Sequence, residues 1–254
     1  MYPTLIQING LAIYTYGLFI AAGFLLGLTI AMKEARKEGM DPQIILDLGF
    51  YLILSAIIGS RLFYVLLNLR DYLHDPLGII RIWHGGLVFY GGFFLAMIIC
   101  LFYLKRHKLP LWRTCDLFAP SLAAGEFLGR LGCFFAGCCY GKETDLPWGI
   151  TFTNPQSLAR PGVPLHPTQI YASLLALSTL LILLYLRRHK SFEGEITWSY
   201  ILLYSLSRIV VEHFRGDPRE FIINQTISLA QGIALVMGIL SIFMLYFLSK
   251  RVRD

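Results

Sequence analysis

The chain has 254 residues, of which 56% are hydrophobic and only 15% are charged. Its mean hydropathy of +0.60 and its long apolar runs exclude an ordinary soluble domain, which is about one quarter charged, and predict a multi-span membrane protein. The formal net charge of +6 comes from short basic clusters between apolar runs. That pattern is typical of membrane topology and predicts no nucleic-acid partner. The first residues lack the basic start of a signal peptide, so we expect no cleavage there.

Taken in chain order, seven segments have the length and apolar character of membrane-spanning helices, which need about 20 residues each. These segments run from Ile13 to Met32, Ile44 to Leu67, Leu87 to Leu104, Cys115 to Phe135, Gln169 to Leu186, Ile196 to Phe214 and Ile227 to Leu248. The sequence therefore predicts an all-α integral membrane protein.

Basic residues concentrate in alternate loops, at positions 33–37, 105–113, 187–190 and 250–253. Because such clusters mark the cytoplasmic side, they predict an outer N-terminus and a cytoplasmic C-terminus, which agrees with seven spans. We expect one membrane domain over residues 1–254. Its outer loop at 140–167 lies between the fourth and fifth spans, and the prolines of that loop favour ordered turns.

Three arginines lie inside the predicted spans: Arg61, Arg130 and Arg208. An arginine in a membrane helix costs roughly 2.5–3.5 kcal/mol on insertion scales unless it meets a partner or water. One interpretation is structural, because Glu126 and Glu212 each lie four residues from an arginine, at helical pairing distance. The other is functional, because a guanidinium offers a planar fork of donors that suits the phosphate of a lipid. The two interpretations are compatible.

A polar stripe follows the sixth segment, where Tyr204, Arg208, Glu212 and Arg215 fall on one helical face. A continuous polar stripe does not face lipid, so this one is predicted to line a cavity or the interior of a helix bundle. A lipid or anion transporter is one alternative function for such a stripe, and it would form no covalent product.

Glycine, arginine and cysteine concentrate between Gly129 and Gly141, at the end of the fourth span. The cysteines there are Cys133, Cys138 and Cys139, and their spacing contains no CxxC motif. Without a second cysteine pair, this spacing argues against a structural zinc site, and we expect neither a metal nor a cofactor. On an oxidising outer face the three thiols raise the alternative of a membrane thiol oxidoreductase, which the missing CxxC weakens.

Two further motifs each have a structural and a functional interpretation. The third span opens with the sequence WHGGLVFYGG, whose glycines favour close helix packing with Trp83 and Tyr90 as interfacial aromatic residues. His166 precedes the fifth span in the sequence LHPTQIY. It is suited either to hydrogen bonding at the start of that helix or to acid–base chemistry near neutral pH.

Together these motifs resemble the prolipoprotein diacylglyceryl transferase family. The matching sequences are WHGGLVFYGG from Trp83, GRLGCF from Gly129, HPTQIY from His166 and RIVVEHFR from Arg208, and they occur in the order of the family. The resemblance extends from Tyr16 to about Pro218 and includes the seven-span layout. It implies a multi-pass enzyme of the bacterial cytoplasmic (inner) membrane. Such an enzyme moves the diacylglyceryl group of phosphatidylglycerol onto the lipobox cysteine thiol of a prolipoprotein, forming a thioether and releasing glycerol phosphate.

By this resemblance, Arg130 corresponds to the signature arginine of the family and Arg208 to a second essential arginine, with Tyr16 and Tyr204 as site tyrosines. The predicted catalytic residues are Arg130, Arg208, Tyr90 and His166, and the predicted substrate contacts are Arg130, Tyr16, Arg61, Gly141, Tyr204, Glu212 and Arg215. The implied partners are phosphatidylglycerol, lipobox signal peptides and membrane lipids.

The chain departs from the family at four positions. Many members have His at the position of Tyr90, Asn at that of Cys133 and Glu at those of Cys138 and Ala172. Because the resemblance implies a histidine base at the first of these, the general base stays open among Tyr90, His166, Glu126 and His84. The alternative is electrostatic activation of the thiol by the arginines, with proton loss to water. By the resemblance, the cysteines of this chain replace polar residues of the family, and the nucleophilic thiol belongs to the substrate.

Overall fold

The computed structural model describes residues 2–8, 11–81, 85–219, 221–223 and 227–251. Trp83 and His84 of the glycine-rich motif lie outside these residues. The described part of the chain is mainly helical, and three two-stranded antiparallel hairpins complete it. It divides into two compact units: unit 1 is Met1–Ala31 with Trp112–Asp254, and unit 2 is Met32–Leu111.

Each predicted span coincides with one long helix. The helices are α1 (Thr15–Lys37), α2 (Pro42–Leu67), α3 (Leu69–His74), α4 (Phe89–Arg106), α5 (Leu111–Ala136), α6 (Thr168–Arg187), α7 (Glu195–Phe214) and α8 (Leu229–Arg251). The largest shift is at the end of α1, which continues through the basic cluster to Lys37. That cluster consists of good helix formers, and an ion pair of 2.6 Å joins Lys37 to Glu34 one turn earlier. The short helix α3 and the 3-10 helix Pro76–Ile80 were not predicted.

Among the described residues, five helices are long and apolar enough to cross a membrane: α1, α2, α4, α6 and α8. The protein is therefore an all-α multi-pass membrane protein by composition and helix length. Helices α5 and α7 are also long, with 26 and 20 residues. They carry the ionisable residues of the candidate site, which lower their hydropathy. The seven-span count and the orientation of the termini stay predictions.

The hairpins lie where the sequence predicted loops or the ends of spans. They pair β1 (Thr4–Ile8) with β2 (Leu11–Tyr14), β3 (Ile150–Thr151) with β4 (Pro164–Leu165), and β5 (Phe221–Ile223) with β6 (Ile227–Ser228). The first and last predicted spans were thus too long at their N-terminal ends, because extended residues precede each helix. Between α5 and α6, the segment 140–167 buries Phe152, Ala159 and Leu165 in a small core of its own.

In unit 1 a buried acid joins α5 to the start of α7. Asp116 is fully buried and accepts hydrogen bonds of 2.8 Å from the backbone N–H groups of Gly194 and Thr197. It also pairs with Lys190 at 3.0 Å. These bonds satisfy N–H groups that a helix leaves unpaired at its N-terminus. Small residues of α5, including Ala123, pack against α6 and α7 in the adjoining core, which fixes the helices that carry the site.

In unit 2, α2 packs closely on α4 through small residues. Gly91 and Gly92 are buried, and a Cβ on Gly91 would overlap Phe63 and the Gly59 carbonyl. The packing interpretation of the glycine-rich motif is therefore confirmed for these two positions, since only glycine allows the backbones to approach so closely.

Candidate active site

A pocket between α5, α6 and α7 brings two of the predicted arginines together. Arg130 reaches it from α5, and Arg208 reaches it from α7. The complete lining is Glu126, Arg130, Ala172, Ala176, Thr179, Tyr204, Ser207, Arg208 and Val211. Two guanidinium groups, one phenol and two hydroxyls on a background of small residues make a site with many hydrogen-bond donors, which suits a phosphate.

Each pocket arginine is held by an acid one helical turn away. Arg130 Nη2 lies 3.4 Å from Glu126 Oε1, and Arg208 Nη2 lies 3.2 Å from Glu212 Oε2. Both predicted i,i+4 pairs are thus confirmed. The arginine side chains keep 20% and 18% of their surface exposed. Because a guanidinium has five N–H donors and each acid engages one nitrogen, both arginines keep donors for a ligand.

Near the end of α7, Glu212 belongs to a longer network of charges. Its side chain is 2% exposed, and its two carboxylate oxygens lie 2.8 and 3.1 Å from Arg219 Nη1. Arg219 also pairs with Asp217, which accepts two hydrogen bonds of 2.8 Å from Arg215. Three arginines and two acids are therefore linked from Arg208 to Arg215. Arg219 lies in the loop after α7, and its pairing with Glu212 and Asp217 depends on the turn of the chain there.

The charges around Asp217 determine its protonation state. Burial alone would raise the pKa of the Asp217 carboxyl, but the hydrogen bond and charge of Arg215, together with Arg219, outweigh burial. The net result is a pKa below the ordinary value, so Asp217 stays ionised and keeps both arginines in place.

Gly141, Arg215 and His166 meet where the chain leaves and re-enters the helices. Gly141 forms a β-bridge with Arg215, and its N–H donates to the His166 carbonyl at 3.0 Å. The His166 ring lies 3.2 Å from the Tyr171 hydroxyl through Nδ1 and packs on Phe214 at 5.2 Å. His166 is thus held in an aromatic cluster next to α7 and does not line the arginine pocket.

Tyr16 lies at the start of α1, beside the C-terminal part of α5. A Cβ placed on Gly132 would lie 3.2 Å from Tyr16 Cδ2, so Tyr16 packs two residues from Arg130 along α5. Tyr16 is 42% exposed. It borders the helix that carries the pocket arginine without appearing among the pocket-lining residues.

Two predicted site residues, Arg61 and Tyr90, belong to unit 2. The Arg61 guanidinium donates to five backbone carbonyls, which engage all five of its N–H donors; the acceptors are Gly78, Ile79, Arg81, Gly85 and Gly86. It also stacks over the Tyr64 and Tyr72 rings. Arg61 therefore holds the segment between α2 and α4 together, with no donor left for a phosphate. Tyr90 is 56% exposed on α4.

Among the described residues, three clustered cysteines are placed so that they could hold a metal ion. Cys133, Cys138 and Cys139 are free thiols, and their Sγ atoms all lie within 4.8 Å of one another. The sequence spacing argued against a metal site, because zinc sites are recognised in a sequence by paired CxxC motifs. That criterion does not detect a turn that folds residues 138 and 139 back towards residue 133.

Comparisons with known proteins support the motif resemblance. The family model described as prolipoprotein diacylglyceryl transferase matches residues 3–247. A phosphatidylglycerol–prolipoprotein diacylglyceryl transferase of Clostridium tetani is 35% identical over 243 residues, 96% of each chain. The protein of the same name from Synechococcus elongatus is 33% identical, over 99% of this chain and 90% of its own length. That of Finegoldia magna is 37% identical, over 91% and 92% respectively.

Proposed function

Because the chain belongs to the prolipoprotein diacylglyceryl transferase family, we propose that it moves the diacylglyceryl group of phosphatidylglycerol onto the lipobox cysteine thiol of prolipoproteins. The observation that carries this proposal is the convergence of Arg130 and Arg208 on one pocket. In this reaction the sulfur forms a bond to the glyceryl carbon, and the carbon–oxygen bond to the phosphate breaks. Glycerol phosphate leaves and the thiol proton is released, so atoms and charge balance.

The arginine pair suits the leaving group of this reaction. Negative charge grows on the phosphate oxygens as the carbon–oxygen bond breaks, and fixed cationic donors stabilise that charge without reorganising. Glu126 and Glu212 hold the two guanidinium groups through their ion pairs, which limits the entropy lost when the phosphate binds. Arg130 and Arg208 therefore act as the phosphate clamp, with Tyr204 as a further donor in the pocket.

The candidates for the general base occupy different places. Glu126 lines the pocket, His166 is held by Tyr171, Tyr90 lies on α4 of unit 2, and His84 is outside the described residues. Electrostatic activation of the substrate thiol by the two arginines needs no protein base, since a nearby cation lowers the pKa of a thiol. The thiol proton then passes to water.

The membrane layout is part of the proposal. All seven long helices span the bacterial cytoplasmic membrane, with the N-terminus outside and the segment 140–167 on the outer face of a single membrane domain. In support of spanning roles for α5 and α7, the charged side chains of Glu126, Arg130, Arg208 and Glu212 are paired within the protein, as membrane-embedded charges require. Reporter fusions after each long helix test whether all seven span the membrane. A long helix whose two ends lie on the same side of the membrane would contradict the proposed layout.

Mass spectrometry of a synthetic lipobox peptide tests the activity. We expect purified protein in vesicles containing phosphatidylglycerol to add one diacylglyceryl group to the peptide, and to add none when the lipobox cysteine is replaced by serine. The Arg130→Ala and Arg208→Ala variants are expected to give no product. A disulfide-linked peptide with no lipid adduct would instead indicate a thiol oxidoreductase. Movement of lipid or anion with an unmodified peptide would indicate a transporter.

A further inference from the structure

Cys133, Cys138 and Cys139 form a thiol cluster that the proposed transfer reaction does not use. Cys133 is buried and the other two are half-buried. Their Sγ atoms all lie within 4.8 Å of one another. We infer that this cluster binds one thiophilic metal ion of the zinc class, coordinated by three cysteine thiolates.

The spacing of the sulfur atoms is close to what such an ion requires. A tetrahedral zinc ion sits about 2.3 Å from each thiolate, which places its sulfur ligands about 3.8 Å apart. With every separation already inside 4.8 Å, closing the cluster around the ion needs side-chain movements of about 1 Å or less. The fourth position remains for water or another small donor.

The turn after α5 is built to hold the three thiols together. Gly137 has a φ of +76° and Cys139 a φ of +61°, so two residues in the left-handed region reverse the chain. The carbonyls of Cys138 and Cys139 accept hydrogen bonds of 2.8 and 2.7 Å from Gln169 and Thr168. Both donors are 1% exposed. Because the backbone is fixed from outside the cluster, the ligands are preorganised and lose little entropy on binding.

The charge of the resulting complex is compatible with its surroundings. A divalent ion that displaces three thiol protons gives a complex with one negative charge and releases three protons, so the step is balanced. Two guanidinium groups interact electrostatically with the cluster, Arg215 with Cys139 and Arg130 with Cys133. Outer partners of this kind orient thiolate ligands and stabilise the bound metal.

A metal at this position would connect α5, which carries Arg130, to the charge network that follows α7. Cys133 lies one turn after Arg130 on α5, and Cys139 interacts electrostatically with Arg215 of the charge network. The bound ion would fix both sets of side chains to the same turn. This role is structural and goes beyond the transfer reaction, since the thiolates hold the metal and the attacking thiol belongs to the substrate.

Cadmium titration of the purified full-length protein tests the inference, after reduction and removal of metals with a chelator. We expect one Cd²⁺ per chain, with sulfur-to-metal charge-transfer absorption in the ultraviolet, and protection of three of the five thiols from alkylation. Cys138→Ser should weaken binding by more than the roughly 10- to 100-fold that the loss of an outer partner costs, and should lower the charge-transfer absorption per bound ion, because one of the three thiolates is lost. The matched control is Cys100→Ser on α4, which should bind Cd²⁺ like the unchanged protein.

Two results would overturn the inference. One is Cd²⁺ uptake that is the same in Cys138→Ser and in Cys100→Ser. The other is a disulfide, detected because the unreduced protein is two hydrogens lighter than its thiol form, together with no metal uptake after reduction. X-ray absorption of the zinc-loaded unchanged protein needs no variant: three sulfur neighbours at about 2.3 Å are expected, and a shell of nitrogen and oxygen alone would contradict the site. None of these measurements depends on lipid transfer.

Discussion

A double-mutant cycle on Arg130 and Glu126 separates two explanations of an inactive Arg130 variant. The two side chains form an ion pair of 3.4 Å, and each is 20% exposed. If Arg130 only neutralises Glu126, Arg130→Gln leaves an unpaired acid in an apolar setting, and adding Glu126→Gln restores activity. If Arg130 binds the phosphate, the double variant stays as inactive as Arg130→Gln.

The magnitudes show why the single variants are insufficient. Breaking a buried ion pair by removing one partner costs about 3–5 kcal/mol of stability. Losing one preorganised donor to a developing oxyanion costs about 2.7–4 kcal/mol of transition-state stabilisation, or 10²–10³ in rate. Either loss would silence Arg130→Gln in most assays. Glu126→Gln keeps Arg130 and removes one long contact, so we expect a loss of about tenfold, corresponding to the lower range of a charged hydrogen bond.

The assay is the initial rate of lipid addition to the lipobox peptide, measured by mass spectrometry for the four members of the cycle. Thermal unfolding of each variant in detergent, followed by circular dichroism, identifies loss of folded protein separately from loss of rate. We expect Arg130→Gln and the double variant to have the same low rate. A double variant that recovers at least tenfold over Arg130→Gln would refute the phosphate role of Arg130.

Three other predictions use structural roles. Arg61→Lys should lower the unfolding temperature by several degrees, because a lysine has three donors for the five carbonyls that Arg61 binds. Each lost bond to a charged group costs about 1.5–3 kcal/mol. The control is Arg70→Lys at an exposed position, and equal unfolding temperatures of the two variants would contradict the structural role of Arg61. Glu212→Gln should destabilise the protein by about 3–5 kcal/mol in denaturant unfolding, because two arginines lose a buried counterion, whereas an unchanged midpoint would show the network to be unimportant. Asp217 has a depressed folded pKa, so its contribution is present above its unfolded pKa of about 3.9 and is lost as the pH falls through the lower folded value. Unfolding temperatures of the unchanged protein and Asp217→Asn should therefore differ near neutrality and converge in acid, and a constant difference would argue against the ion pairs.

The seven long helices were predictable because each depends on local composition. Apolar runs of about 20 residues predict membrane helices, and all seven predicted segments are helices in the structure. The hairpins were not predictable in the same way, since β1–β2 and β5–β6 lie at the edges of apolar segments and their short strands continue the same hydrophobic pattern. Asp116 was also missed, because its role as a cap for α7 depends on contacts across 78 and 81 residues.

The residues of the candidate site also differ in how far local sequence spacing predicts them. Arg130 and Arg208 could be predicted because an intramembrane charge is costly and an acid one turn away is visible in the sequence. The bonds of Arg219 to Glu212 depend on the turn that follows α7. The approach of Cys139 to Cys133 depends on a turn with left-handed residues at Gly137 and Cys139, which forms only in the folded chain. Helical periodicity therefore identifies the residues proposed to bind the phosphate, whereas turn geometry determines which side chains hold them in place. That distinction explains why a CxxC rule, which assumes a local cysteine loop, argued against a metal at the position where the structure gathers three thiols.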